Sequence, residues 1–168
     1  MWKINELSRI NIVRKINKRK GKIYLFLDFD GVINILGNLE DLENEEEYDF
    51  CDAKAVKRIS DLCLNFDIDI IISSSWRFSG LDFCREYLVQ HGLDEKVRVS
   101  DVTQSVSLMS REEDILQYLY EHEDYKAFLI LDDIAMNKLK NYAVLTNEID
   151  GYSEEKDSYA RSILSKLL

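Results

Sequence analysis

The sequence predicts a three-layer α/β fold around a mainly parallel sheet, and three observations predict it. From Lys22 onward, short apolar runs alternate with stretches of helical period, the pattern of strands joined by crossover helices. The runs at residues 23–27, 68–72 and 128–131 end in polar residues rather than fading into loops, as buried strands feeding a crevice do. The chain has 168 residues, 46% of them hydrophobic, which suits one domain with a real core.

Each element follows in order. Ile4, Leu7, Ile10, Val13 and Ile16 recur every three residues, so residues 1–21 are expected to form a helical arm. Residues 22–168 form the domain. Its first strand, residues 23–27, is continuously apolar. Residues 32–50 are irregular or hairpin-like, with a turn at Gly37–Asn38 and an acidic cluster of Asp41, Glu43, Glu45, Glu46, Glu47 and Asp49. Val56, Ile59, Leu62, Cys63 and Phe66 give a helical stripe, and a second strand follows at residues 68–72. Residues 81–91 read as a helix that Gly92 ends, and residues 97–99 as a short strand. Ser110 and Glu113 make a capping box for a helix with Ile115, Leu116 and Leu119 on one face. Residues 128–131 are a buried strand running into Asp132 and Asp133. A short helix, a strand at residues 142–145, and a last helix capped by Ser153 complete the chain.

Charge divides the molecule. Residues 1–22 hold eight Lys or Arg against one acid, +7, within a net charge of −10, so the rest carries −17. A body this acidic is a poor general binder of nucleic acid. The arm has three readings: a helix docked by its apolar face, a nucleic-acid contact, or a membrane or protein contact. No apolar run approaches the roughly 18 residues of a membrane span. Residues 1–22 lack the apolar centre of a secretory signal. The three cysteines, Cys51, Cys63 and Cys84, lack CxxC spacing and read as reduced thiols, so a cytoplasmic location is expected. The oligomeric state has no signal in the chain.

The chemistry gathers at the strand ends. The first strand ends in Asp28 and Asp30, the second in Ser73, Ser74 and Ser75 followed by Trp76–Arg77, and a later one in Asp132 and Asp133. In a parallel sheet these ends share one edge, where open α/β sheets bind ligands. Four carboxylates there repel one another and call for a cation. Oxygen-only ligands favour Mg²⁺, which keeps waters and bridges to phosphate. The matching chemistry is phosphoryl transfer to an aspartate. Asp28 is the expected nucleophile and Asp30 the acid that protonates the leaving oxygen, then the base for water. Two residues apart in extended chain, both face one way. Gly31 permits a sharp turn beside the phosphate. Ser73 is expected to donate to a phosphate oxygen, and Arg111, in the first turn of its helix, to offset phosphoryl charge. Ser74 reads as a satisfier of backbone groups or a substrate contact. Arg77 has two readings, a phosphate contact or an ion pair with the acidic segment. Trp76 is either core or a substrate platform.

"FLDFDGVIN", "IIISSSW", Arg111 in "SREEDI" and "LILDD" resemble, in order, the four motifs of the haloacid dehalogenase (HAD) superfamily, over residues 22–168. The resemblance implies a Rossmann-like core and a metal held by the Asp28 carboxylate, the Asp30 backbone carbonyl, and Asp132 or Asp133. "SSSWR", "SREEDILQYL" and "VLTNEIDGYSEE" are similar, more narrowly, to the HAD domains of RNA-repair (Swiss Army Knife) proteins. Members often carry a cap domain, but neither gap between motifs here has room for one. A capless site implies a large substrate such as a nucleotide or polynucleotide end, with a phosphoprotein as the alternative. Bacterial receiver domains also collect aspartates at strand ends, but there the acid pair opens the sheet and a lysine closes it. Against the enzymatic reading stands a HAD scaffold kept only as a binding module.

Overall fold

The computed structural model describes residues 20–36, 50–106 and 110–168. The expected helical arm, the Gly37–Asn38 turn and the acidic cluster lie outside them.

Five strands form one sheet: β1 (Lys22–Leu27), β2 (Ile68–Ile72), β3 (Arg98–Val102), β4 (Tyr125–Asp132) and β5 (Ala143–Leu145). Their spatial order is β3-β2-β1-β4-β5, and every pairing is parallel. Four helices pack on the sheet: α1 (Ala53–Phe66), α2 (Leu81–Gln90), α3 (Arg111–Glu121) and α4 (Glu154–Leu167). The chain therefore has the three-layer, Rossmann-like core that its alternating pattern predicts, and no cap domain among the described residues.

The central strands are mostly apolar because both sheet faces are covered, and the buried Asp69 of β2 pairs with Arg98. Ile23, Leu25 and Leu27 of β1 point into a core shared with α1, α2 and α4, while Tyr24 and Phe26 point into a second core under α3. β4 divides the same way, with Ala127, Leu129 and Leu131 on one side and Phe128 and Ile130 on the other. α3 is the one described α-helix on that second face, and large rings fill the space. Phe26 meets Tyr118 edge-on at 5.6 Å, and Phe128 stacks on Tyr142 at 4.6 Å.

Helix starts follow their caps. Ser110 Oγ accepts the Glu113 N–H at 3.2 Å, and Ser153 Oγ accepts that of Lys156 at 3.4 Å. Three elements differ from expectation. β4 begins at Tyr125 and not at residue 128, because Tyr125 and Lys126 are only half buried and Lys126 interrupts the apolar run. β3 begins and ends later than residues 97–99, because it is an edge strand with only Val99 buried, so apolar content marks it poorly. The helix expected after Asp133 is only a 3₁₀ turn, Lys140–Tyr142. Among the described residues no helix is long and apolar enough to cross a membrane, and the buried Cys63 and Cys84 form no disulfide.

Candidate active site

The strand ends converge because parallel pairing carries the register past Leu27. The Asp28 N–H donates to the Leu131 carbonyl at 3.0 Å, and the Ser73 N–H to the Leu27 carbonyl at 3.0 Å. Asp28, Ser73 and Asp132 thus sit side by side, and all three are buried. Asp28 Oδ1 accepts the N–H of Phe29 at 2.8 Å. Its Oδ2 meets Arg111 Nη1 at 2.8 Å, and the same nitrogen lies 3.1 Å from Asp132 Oδ2. The second Asp132 oxygen accepts the Ile134 N–H at 2.9 Å.

Arg111 opens α3, where the helix dipole disfavours a cation. The two buried carboxylates explain its place. Burial opposes the guanidinium charge, but Asp28 and Asp132 outweigh it and hold the Arg111 pKa above its ordinary value. The acids remain crowded despite it. Burial, then the charge of Asp28, pushes Asp132 from an ordinary 3.8 to about 7, and the same two causes raise Asp133.

Carboxylate oxygens of Asp28, Asp132 and Asp133 lie within 4.8 Å of one another. Three hard oxygen donors with surplus negative charge fit a divalent cation such as Mg²⁺. Gly31 makes that cluster possible. Its φ is +73°, and a Cβ there would lie 2.6 Å from Asp133 Oδ2 and 2.7 Å from Asp133 Cβ.

Asp30 stands apart from this cluster, with its carboxylate exposed. Trp76 Nε1 donates to its two oxygens at 3.0 and 3.2 Å, and Asn34 Nδ2 donates at 3.1 Å. The Tyr87 hydroxyl in turn donates to Asn34 Oδ1 at 2.7 Å, and the Tyr87 and Trp76 rings lie 4.8 Å apart. The acid therefore has a fixed seat built from three side chains. Asn34 and Tyr87 were not legible as site residues. Trp76, weighed as core or platform, orients Asp30.

The serine loop separates into roles. Ser73 is fully buried, and its Oγ has no hydrogen-bond partner among the described residues. A buried hydroxyl in that state can donate to a ligand or to an ordered water. Ser74 Oγ accepts the Trp76 N–H at 3.3 Å and caps the 3₁₀ turn Ser75–Ser79, so its side chain is engaged by the backbone. Arg77 has a described partner that neither of its two readings names. Its side chain is only 7% exposed and pairs with Asp114 at 2.9 Å. Its Nη1 donates to the Ser73 and Ser74 carbonyls at 2.5 and 3.1 Å. It holds the serine loop from beneath. Lys138, another cation near the site, pairs with Glu113 at 3.3 Å.

The sheet edge thus brings together Asp28, Asp30, Gly31, Ser73, Arg111, Asp132 and Asp133, in the order of the four motifs. A family model described as the HAD domain in Swiss Army Knife RNA repair proteins matches residues 24–156. No curated protein and no solved structure matches the chain. With the matched span covering most of the chain and both ends of the strand-edge cluster, the protein belongs to the HAD superfamily, as a domain of the Swiss Army Knife RNA-repair type.

Proposed function

We propose that the protein is a Mg²⁺-dependent phosphomonoester hydrolase working through an aspartyl phosphate on Asp28, and that it acts on the phosphate of a nucleotide or polynucleotide end. Phosphatase-type hydrolysis is the general activity of its superfamily. The observation that supports the finer reading most is Asp28 itself: a buried carboxylate at a strand end, held by Arg111 at 2.8 Å with Asp132 and Asp133 beside it.

An Asp28 oxygen attacks phosphorus, and the bond from phosphorus to the ester oxygen breaks. Asp30 gives its proton to that oxygen, and the alcohol leaves. Water then attacks the aspartyl phosphate, Asp30 takes a proton from it, and inorganic phosphate departs with Asp28 restored. Ser73 Oγ and Arg111 donate to the phosphoryl oxygens in both steps. Asp28, Asp132, Asp133 and the Asp30 carbonyl would hold Mg²⁺, which supplies charge neutralisation for the transferring group.

Purified protein on a panel of phosphomonoesters, with and without Mg²⁺, tests the proposal. Hydrolysis of nucleotide esters that requires Mg²⁺ is expected. Phosphopeptides as the best substrates would favour a phosphoprotein phosphatase, and a flat panel with clean Mg²⁺ binding would favour a binding module. Calorimetric titration should show Asp133→Asn weakening Mg²⁺ binding about tenfold or more, through the loss of one charge in the cluster.

Arg111→Ala should lower kcat/KM by about 10²–10³, the effect of removing one preorganised donor to a reacting oxygen. Phosphate should also bind more weakly as a competitive inhibitor. Because Arg77 and Lys138 are held by Asp114 and Glu113, neither is placed to substitute. A silent Arg111→Ala would remove Arg111 from the site.

A further inference from the structure

Ser73 and Arg111, the two donors assigned to the phosphoryl group, come from different elements. Ser73 follows β2, and Arg111 opens α3. For both to reach oxygens of one phosphate, the serine loop and α3 must keep one separation. Arg111 is fixed on its own side by Asp28 and Asp132. The sheet fixes the amide side of Ser73, through the bond from its N–H to the Leu27 carbonyl. Arg77 fixes the carbonyl side. Its Nη1 donates to the Ser73 and Ser74 carbonyls at 2.5 and 3.1 Å, and its Nη2 to Asp114 Oδ2 at 2.9 Å. Asp114 sits in the first turn of α3, one turn along from Arg111. Its other oxygen accepts the Val106 N–H at 2.9 Å. One guanidinium therefore spans from the serine loop to the helix that carries Arg111.

Stability alone is a weak reason for such a pair. The two side chains are only 7% and 3% exposed, and desolvating both charges can cost as much as their attraction returns. Two apolar side chains in their place would pack without that cost. What an apolar pair lacks is direction. A guanidinium is a flat fork with fixed donor angles, so it sets both the distance and the orientation of the groups it joins.

We propose that Arg77 and Asp114 are positioning residues, a buried strut that places the Ser73 hydroxyl relative to Arg111 so that both donate to one phosphoryl group. This deepens the phosphatase reading and rests on it. Neither residue touches the substrate; both act through Ser73.

A double-mutant cycle tests the strut, because a residue that only supports the fold lowers activity alike whether or not Ser73 keeps its hydroxyl. Arg77→Lys retains the charge and loses the fork. It should lower kcat/KM for the best ester of the panel by about 10²-fold, the effect of an ångström-scale misplacement. In protein carrying Ser73→Ala the same substitution should cost about twofold or less, since no hydroxyl remains to be placed. Arg77→Met combined with Asp114→Leu removes both buried charges together and guards against a variant that fails to fold. Its thermal melt should match that of the wild type, while kcat/KM shows the same loss and the same dependence on Ser73. Equal losses with and without the Ser73 hydroxyl, or a folded double variant as active as the wild type, would overturn the strut and leave the phosphatase reading standing. If the wild type cleaves no ester, the same cycle is read on calorimetric binding of inorganic phosphate with Mg²⁺. Coupling there would uphold the strut and overturn the phosphatase reading. Equal weakening, or no phosphate binding at all, would overturn both.

Discussion

Asp28→Asn should abolish hydrolysis, by more than about 10⁴-fold, in a protein that still folds. The substitution keeps shape and volume at a position that is only 3% exposed. The new amide oxygen can still accept the Phe29 N–H, which now meets Asp28 Oδ1 at 2.8 Å. Arg111 loses one partner and retains Asp132 at 3.1 Å. Removing a negative charge from beside Asp132 and Asp133 relieves the repulsion that raises both pKa values, which offsets the lost ion pair. What disappears is the nucleophile, because an amide does not form the acyl phosphate. Turnover on the best substrate of the panel, with a thermal melt followed by circular dichroism, reads both halves. Near wild-type turnover by the Asn variant would exclude the covalent route.

Much of this arrangement was legible before any coordinates, for a physical reason. β1, β2 and β4 are buried on both faces, so apart from Asp69, which Arg98 pairs, their interiors are apolar and the polar residues that end them are conspicuous. Parallel pairing then places those ends together without any further information. Hence Asp28, Ser73, Asp132 and Asp133 could be grouped from the chain alone. The limit came where a long polar side chain chooses its partner. Arg77 follows the serines directly, yet its guanidinium turns to Asp114, 37 residues further on, because a buried cation requires a buried acid. Arg111 is the opposite case. Its unfavourable helix-start position hinted at another use, and the structure supplies one in Asp28 and Asp132. The seat of Asp30 was invisible because an indole beside a serine run looks like core. Only the fold shows that its N–H meets a carboxylate 46 residues away. β3 was faint because an edge strand half-exposed to water alternates weakly and includes Arg98, which pairs with Asp67 and Asp69.

Asp30→Asn should separate proton transfer from the rest of the site. The Asn side chain still offers an oxygen to Trp76 Nε1, and the backbone carbonyl assigned to Mg²⁺ is untouched. Metal binding should therefore persist, by the same titration used for Asp133. The variant loses a group that gives about 10²–10⁴ in rate, and it loses it unequally. An alkyl ester must have its departing oxygen protonated, whereas nitrophenolate leaves readily without help. The quantity to compare is kcat/KM, which reports the steps up to phosphoryl transfer and is blind to hydrolysis of the aspartyl phosphate. It should fall by about 10²–10⁴ for an alkyl phosphate and far less for nitrophenyl phosphate. The second step needs Asp30 as base whatever the leaving group was. With nitrophenyl phosphate the variant should then release one nitrophenol per protein rapidly and turn over slowly afterwards. Equal losses of kcat/KM on the two esters, with no burst, would show that Asp30 is not the acid and that its seat between Trp76 and Asn34 serves the turn alone.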